Sequence, residues 1–568
     1  MCDQQIVEQR PSKFLKLLRS TLSFADQRAL PLLLVMHGLL LVINAAIHSP
    51  TIDEVGHLPS GYLNWKGRFD AYRVNPPLVR MVAAVPLLVF QPELQFVVGK
   101  STGKFRAEYY LGAELFHRVG PQALIYYLFG RILCIPFSLI GLTVCYVWTN
   151  RIFCRQAAVV TGILWCFCPD ILGHGSLFTP DVAAGAAGLC AGYALWCWLG
   201  SQSWISTISF GASLSFCVLT KFTWLGFCLL VPVVFLTWKV SVQNLLSRFL
   251  KLGLVVLIVV YFVNAQYQFS GTGQSLKSLH PVSKTFSTLA QTPVLADLPI
   301  PLPEDLVLGV DVQKVDFESK LWSYFCGEWR RGGWWNYYLT GMLLKLPVGF
   351  WLLFALGAGA LTLQAWEGTV ELRTVVALVL PSAFILLFIS SQTGFNHHIR
   401  YAIPAYPFMF IIAGAGVHQA VRTADMFRQR IGQFLVATFI ASSLLTFPHS
   451  LSYFSCLCGG PKYGHFFLAN SNVDWGQDIF LIELWKRRHP DIEIDGYVLV
   501  YPPHRIFPEG QTAPLEPTPG WYIVSLTEHH SPNDKANHQY FLNYEPVDAI
   551  GWSTLVYHIP ESVQNNEL

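Results

Sequence analysis

Eleven apolar runs limit what this chain can fold into. They lie near residues 29–48, 122–148, 156–171, 179–200, 205–220, 222–238, 249–267, 338–363, 374–392, 401–420 and 431–448. A helix crosses a bilayer with about 20 apolar residues, so the pattern predicts about eleven transmembrane helices. Composition agrees: 13% of the 568 residues are charged, against about 25% in soluble domains. The chain reads as a polytopic α-helical membrane protein. Its thirteen cysteines sit mostly singly inside apolar runs, as small buried hydrophobes. Cys456-Leu457-Cys458 lacks a second pair at zinc spacing. No cleavable signal peptide is expected, because the start is basic and polar and the first apolar run is long enough to span.

The positive-inside rule sets the expected orientation. Arg10, Lys13, Lys16, Arg19 and Arg28 precede the first run. Arg151 and Arg155, then Lys239, Arg248 and Lys251, then Arg373, then Arg422, Arg428 and Arg430 fall on the same side. Residues 1–28 are therefore expected as a cytoplasmic tail and 29–448 as the transmembrane domain. The loops near 49–121 and 268–337, and a domain over 449–568, are placed outside. The polar signals cluster on that outer face: Asp53, Glu54, His57, Asn75, Asp170, His174, Asp181, Lys221, Asn396, His397, His398 and Arg400. There is no G-x-x-x-x-G-K-[ST] phosphate loop, so no nucleotide is expected. A lipid-linked activated substrate suits such a face better, and no nucleic-acid partner is expected.

Asp53-Glu54 follows the first span directly. Charges there are costly unless they sit in water or in a polar site. Such a pair can take a proton from a hydroxyl, hold a cation or cap a helix. Val55–Trp65 is amphipathic, Pro76-Pro77 breaks the chain, and Leu78–Phe90 is too short to span, so it reads as re-entrant or interfacial.

Several motifs carry a resemblance. Asp53-Glu54-Val55-Gly56-His57, about twenty residues before Asn75-Pro76-Pro77-Leu78, resembles the first outer loop of protein O-mannosyltransferase relatives. Those relatives carry His-Pro-Pro-Leu, and bacterial members often have Asn. Gly130-Arg131-Ile132, Phe178-Thr179-Pro180-Asp181, Leu344-Lys345-Leu346-Pro347 and Asn396 through Pro404 are similar to further family motifs. Asn470 through Asp478 resembles a tail signature of a bacterial subgroup. The resemblance implies a GT-C type glycosyltransferase in a bacterial plasma (inner) membrane. Such an enzyme moves a sugar from a polyprenyl-phosphate carrier to an acceptor on the outer side, with inversion. The acceptor would be a protein, a glycan or a lipid.

Inverting transfer needs a general base and groups that stabilise the departing phosphate. The resemblance makes Asp53 the base, with Glu54 in support. The alternative for the pair is N-capping. Arg131, Lys345 and Arg400 are candidate phosphate ligands, against snorkelling or interface anchoring. His57 and Asn75 join the candidate site. His397-His398 lacks a carboxylate at ligand spacing, so no metal site is expected, although a divalent metal stays open as an accessory. Asp181 reads as a helix-start acid, and Trp329, Trp334 and Trp335 as an aromatic belt. Two other readings stand beside the enzyme: a flippase or transporter, which would show repeats and midplane charges, and a non-catalytic scaffold.

After Pro448 the apolar runs end. Gln477–Lys486 reads as a helix. Ile492–Val500, Gly520–Leu526 and Thr554–Ile559 read as strands, giving a small α/β domain. Asn470–Asp478 fails as a calcium loop, with Trp475 at its sixth position.

Overall fold

The computed structural model describes residues 28–92, 94, 106–238, 245–499, 512–529 and 538–561. The basic signals before Arg28, Lys239 and the Pro502-Pro503 turn lie outside the described residues. All eleven apolar runs contain helix, but they are not all of spanning length. Among the described residues, seven helices are long and apolar enough to cross a membrane: Ala29–Ile47, Ala107–Ile152, Pro180–Ser201, Leu245–Gln266, Val348–Trp366, Leu372–Ser391 and Ile399–Arg422. An eighth exists if Arg155–Phe167 and Pro169–Gly175, bent by 56°, form one broken span. Among the described residues, the structure thus shows seven or eight of the expected eleven spans.

Proline explains two of the interruptions. Cys168, before Pro169, has φ −62° and ψ 122°, and Leu346, before Pro347, has φ −111° and ψ 140°. A residue before proline is forced out of the helical region, so both helices stop there. Trp204–Val218 has 15 residues, about 22 Å at 1.5 Å per residue, short of a hydrocarbon core of about 30 Å. The run at 222–238 divides into Thr223–Cys228 and Leu230–Thr237.

Pro180–Ser201 lies at the centre of the body, with 83% of its apolar window buried. Its small residues allow that position. A Cβ on Gly188 would lie 2.0 Å from the Trp224 ring, and one on Gly192 would lie 2.7 Å from Phe408. The start of this helix carries Asp181 and faces the region where the long loops gather.

The first long loop folds as Ile52–Trp65, then Leu78–Ala83 and Val85–Phe90, as the amphipathic and interfacial readings expect. The second long loop contains the helix Glu304–Glu318 and a hairpin of β1 (Trp322–Phe325) and β2 (Glu328–Arg331). The tail carries β3 (Gly496–Val498), β4 (Gly520–Ser525), β5 (Asp548–Ile550) and β6 (Thr554–Ile559) in the order β3-β4-β6-β5. β3 is parallel to β4, and the other pairings are antiparallel. Alternation along β4 sends Tyr522 and Val524 to one core and Ile523 to the other, beneath Ile482 and Trp485 of the helix Ile479–Arg488. β5 is additional to the strands read from the sequence.

Candidate active site

The helix Ile52–Trp65 begins with a capping box. The Glu54 carboxylate accepts from the Thr51 backbone N–H at 2.9 Å and from the Thr51 hydroxyl at 3.1 Å. Glu54 is fully buried, and Arg131 meets it with two hydrogen bonds, of 2.9 Å and 2.5 Å. The remaining Arg131 donors reach the carbonyls of Ala45, His48 and Ser49. A guanidinium has five N–H donors, and every one is occupied. The capping alternative therefore describes Glu54. Arg131 locks the end of the first span to the loop.

Asp53, one residue earlier, points the other way. A step of about 100° around a helix separates adjacent side chains. Asp53 lines a cavity of about 200 Å³ together with Asn75, Arg106, Asp181, Lys221, Asp316, His397, His398, Arg400 and Tyr401. Arg400 donates to Asp53 at 2.8 Å and lies 3.7 Å from Asp181. Lys221 donates to Asp181 at 2.5 Å and sits over the Tyr401 ring. The four charges form a chain, Asp53–Arg400–Asp181–Lys221. Arg106 pairs with Glu108 and reaches Asp316 at 3.3 Å on the opposite wall.

Arg400 is buried, yet its Nε and Nη1 have no hydrogen-bond partner. Leaving donors of a buried charged group unmade is expensive. Nε is the atom that lies 3.7 Å from Asp181, and the planar guanidinium stands in the cavity wall with a geometry that suits phosphate.

The remaining predicted residues fall around this cavity in different ways. Asn75 lines it with φ 68°, a left-handed conformation that Asn tolerates well. Its carbonyl accepts from Arg80, which also holds the Tyr72 and Val74 carbonyls and the Asn64 side chain. His57 sits behind the wall, with Nε2 3.4 Å from the Tyr72 hydroxyl. Burial, reinforced by Arg80, holds its pKa well below the ordinary histidine value, so the ring is neutral. Lys345 does not reach the cavity. It donates to the carbonyls of Leu451 and Asn472 at 2.7 and 2.8 Å and faces the Phe454 ring. His397 and His398 line the cavity, and burial lowers the pKa of both below the ordinary histidine value. Trp335 is exposed, whereas Trp334 packs against Phe325 beneath Arg330.

The Asn470–Asp478 segment joins both halves of the site. The Asn472 side chain accepts from Ile399 N–H and donates to the His397 carbonyl and the Tyr337 hydroxyl. The Trp475 ring supports the Arg400 guanidinium at 3.9 Å, and the Trp475 carbonyl accepts from Ile52 N–H at 3.1 Å. Ser49 N–H reaches the Gln477 carbonyl at 2.9 Å. One segment therefore positions the Asp53 turn and the Arg400 turn together.

Lys221, Asp181, Arg106 and Asp316 complete the cavity and are not singled out by the motifs as site residues. Lys221 and Asp181 stand in the sequence only as outer polar signals. Arg106 and Asp316 lie in long loops with no motif to single them out.

No family model matches the chain, and no curated protein matches it. Among solved structures it is similar to ArnT from Cupriavidus metallidurans in the apo state, at 13% identity and a TM-score of 0.45, covering 94% of this chain and 98% of that one. The same protein bound to undecaprenyl phosphate gives 14%, 0.43, 92% and 97%. The Archaeoglobus fulgidus oligosaccharyltransferase tethered with an acceptor peptide gives 11%, 0.42, 74% and 54%. These likenesses are weak in both identity and superposition.

Proposed function

We propose that this chain is a GT-C type glycosyltransferase that moves a sugar from a polyprenyl-phosphate carrier to an acceptor hydroxyl, with inversion. The observation that carries this reading is the Asp53–Arg400 pair in the cavity wall, with Asp181 and Lys221 beside it. Asp53 acts as general base on the acceptor hydroxyl. Arg400, with Lys221 beside it, holds the carrier phosphate as its charge grows on sugar departure. Asp181 spaces the two cations. Glu54 and Arg131 take no part in the chemistry, and neither does Lys345: the first two hold the turn and the last seats the tail.

The working face is extracytoplasmic, in a bacterial plasma membrane, with residues 29–448 as the membrane domain and 449–568 as the outer domain. That placement is supported by the Lys and Arg distribution, and the donor class by the motif resemblance. The acceptor is a protein, glycan or lipid hydroxyl. Purified protein in detergent or nanodiscs, given radiolabelled polyprenyl-phosphate sugars, tests the reading. Release of polyprenyl phosphate coupled to a labelled product is expected. Full turnover by Asp53→Asn would end the assigned mechanism.

A further inference from the structure

Three ligand-type atoms converge away from the cavity, where the first span, the last long helix and the tail domain meet. They are Nε2 of His48, Nδ1 of His449 and Oδ1 of Asp478. The two imidazole nitrogens are 3.4 Å apart, and they lie 3.7 Å and 4.0 Å from the carboxylate oxygen. Nitrogen or oxygen ligands at zinc bond lengths, arranged tetrahedrally, lie about 3.3 Å from one another. The observed triangle is slightly wider than that and encloses a point all three atoms can reach.

The surroundings orient these atoms as metal ligands are commonly oriented. His48 Nδ1 lies 3.1 Å from the Asn44 carbonyl. That contact places the proton on Nδ1 and leaves the Nε2 lone pair facing the cluster. The outer oxygen of Asp478 accepts from Ser553 at 2.6 Å, while Oδ1 has no hydrogen-bond partner although Asp478 and His48 are both more than nine-tenths buried. Gly551 makes room for the carboxylate: with φ 63°, a Cβ there would lie 2.1 Å from Asp478 Oδ2. Arg131 is nearby through the His48 carbonyl, but Glu54 compensates its charge. His449 is partly exposed, which leaves a path for an ion and a position for water.

We propose that His48, His449 and Asp478 bind one divalent transition-metal ion of the zinc class, with water as fourth ligand. The sequence reading expects no such site, because its three ligands are spread over more than four hundred residues. The site is a clamp. It ties the end of the first span, three residues before the capping Thr51, to the start of the tail helix Ile479–Arg488.

Full-length protein purified without chelator and measured by inductively coupled plasma mass spectrometry is expected to hold one zinc per chain. Chelated protein titrated with Co2+ is expected to show the intense visible bands of a four-coordinate ion. His449→Gln and Asp478→Asn should each abolish both signals, whereas His397→Gln should keep them. Gel filtration of each variant reports folding. If the wild-type protein binds neither ion stoichiometrically, His48 and His449 are simply a hydrogen-bonded pair over a buried acid and the proposal fails. It also fails if either variant, while folded, keeps its metal. Metal content and cobalt spectra are independent of sugar transfer, so their outcome does not depend on the catalytic reading.

Discussion

The Arg400 guanidinium lies 3.9 Å from the Trp475 ring while its Nη2 donates to Asp53 at 2.8 Å. The tail domain thus supports, through one indole, the cation that faces the candidate base. Trp475→Phe keeps an aromatic face and should retain most activity. Trp475→Ala should lower kcat about tenfold, the equivalent of a cation–π contact of 1–2 kcal/mol, with a smaller change in KM for the acceptor. Steady-state kinetics on labelled donor checks this.

Arg400→Lys keeps the charge and loses the planar fork. Removing a preorganised donor from a developing anion costs about 10²–10³ in rate. The variant should fold normally and lose turnover on that scale. An unchanged kcat would place the phosphate elsewhere.

Asp53 and Glu54 should separate cleanly. Asp53→Asn should abolish transfer, by a hundredfold or more on the scale of about 10²–10⁴ for a general base, and leave thermal unfolding in detergent nearly unchanged. Glu54→Gln strips Arg131 of its buried counter-charge, which costs roughly 3–5 kcal/mol. It should lower the unfolding midpoint markedly. Differential scanning fluorimetry beside an activity assay distinguishes the two.

Lys221→Met and Asp181→Asn should each slow transfer, and the double variant should be better than the product of the two. Groups in direct contact couple by about 0.5–3 kcal/mol. A double-mutant cycle on kcat/KM measures it, and strict additivity would exclude a shared charge chain.

Asp474 gives a pH prediction. It is buried within the segment that carries Trp475, and desolvation raises its pKa to about 6 from 3.8. A raised carboxyl favours the folded state when protonated. Its stabilisation is complete below about pH 4 and is lost as pH rises through 6. A shift of that size is on the order of 3 kcal/mol. Tail unfolding, followed by hydrogen exchange in Ser525 and its strand neighbours, should accelerate between about pH 4 and about pH 6, beyond the intrinsic pH dependence of exchange. Asp474→Asn should flatten that dependence.

How much of this was legible depended on whether a residue's role was local. Asp53, Asn75 and Arg400 stand in short motifs beside chain breaks, and all three line the cavity. Arg131 and Lys345 have the right depth and charge, but a sequence gives a residue's height along a span and not its partner. Glu54 supplies Arg131 with its partner, and the carbonyls of Leu451 and Asn472 supply Lys345. The apolar runs were all legible as helix. Their continuity was not, because Pro169 and Pro347 end helices that hydropathy averages over. Arg106 and Asp316, 210 positions apart, meet only when two long loops are folded together.

Asp53 and Arg400 are 347 positions apart, and the residue that steadies Arg400 comes later still. A chain inserting from its N-terminus therefore completes the acid early and its cation late, and the indole beneath that cation emerges last. Until Trp475 arrives the cavity has no floor under its guanidinium. A chain that stops short of Trp475 holds Asp53 and Arg400 without the indole that supports them, so the charges of the cavity wall come into register only once the tail segment has joined them.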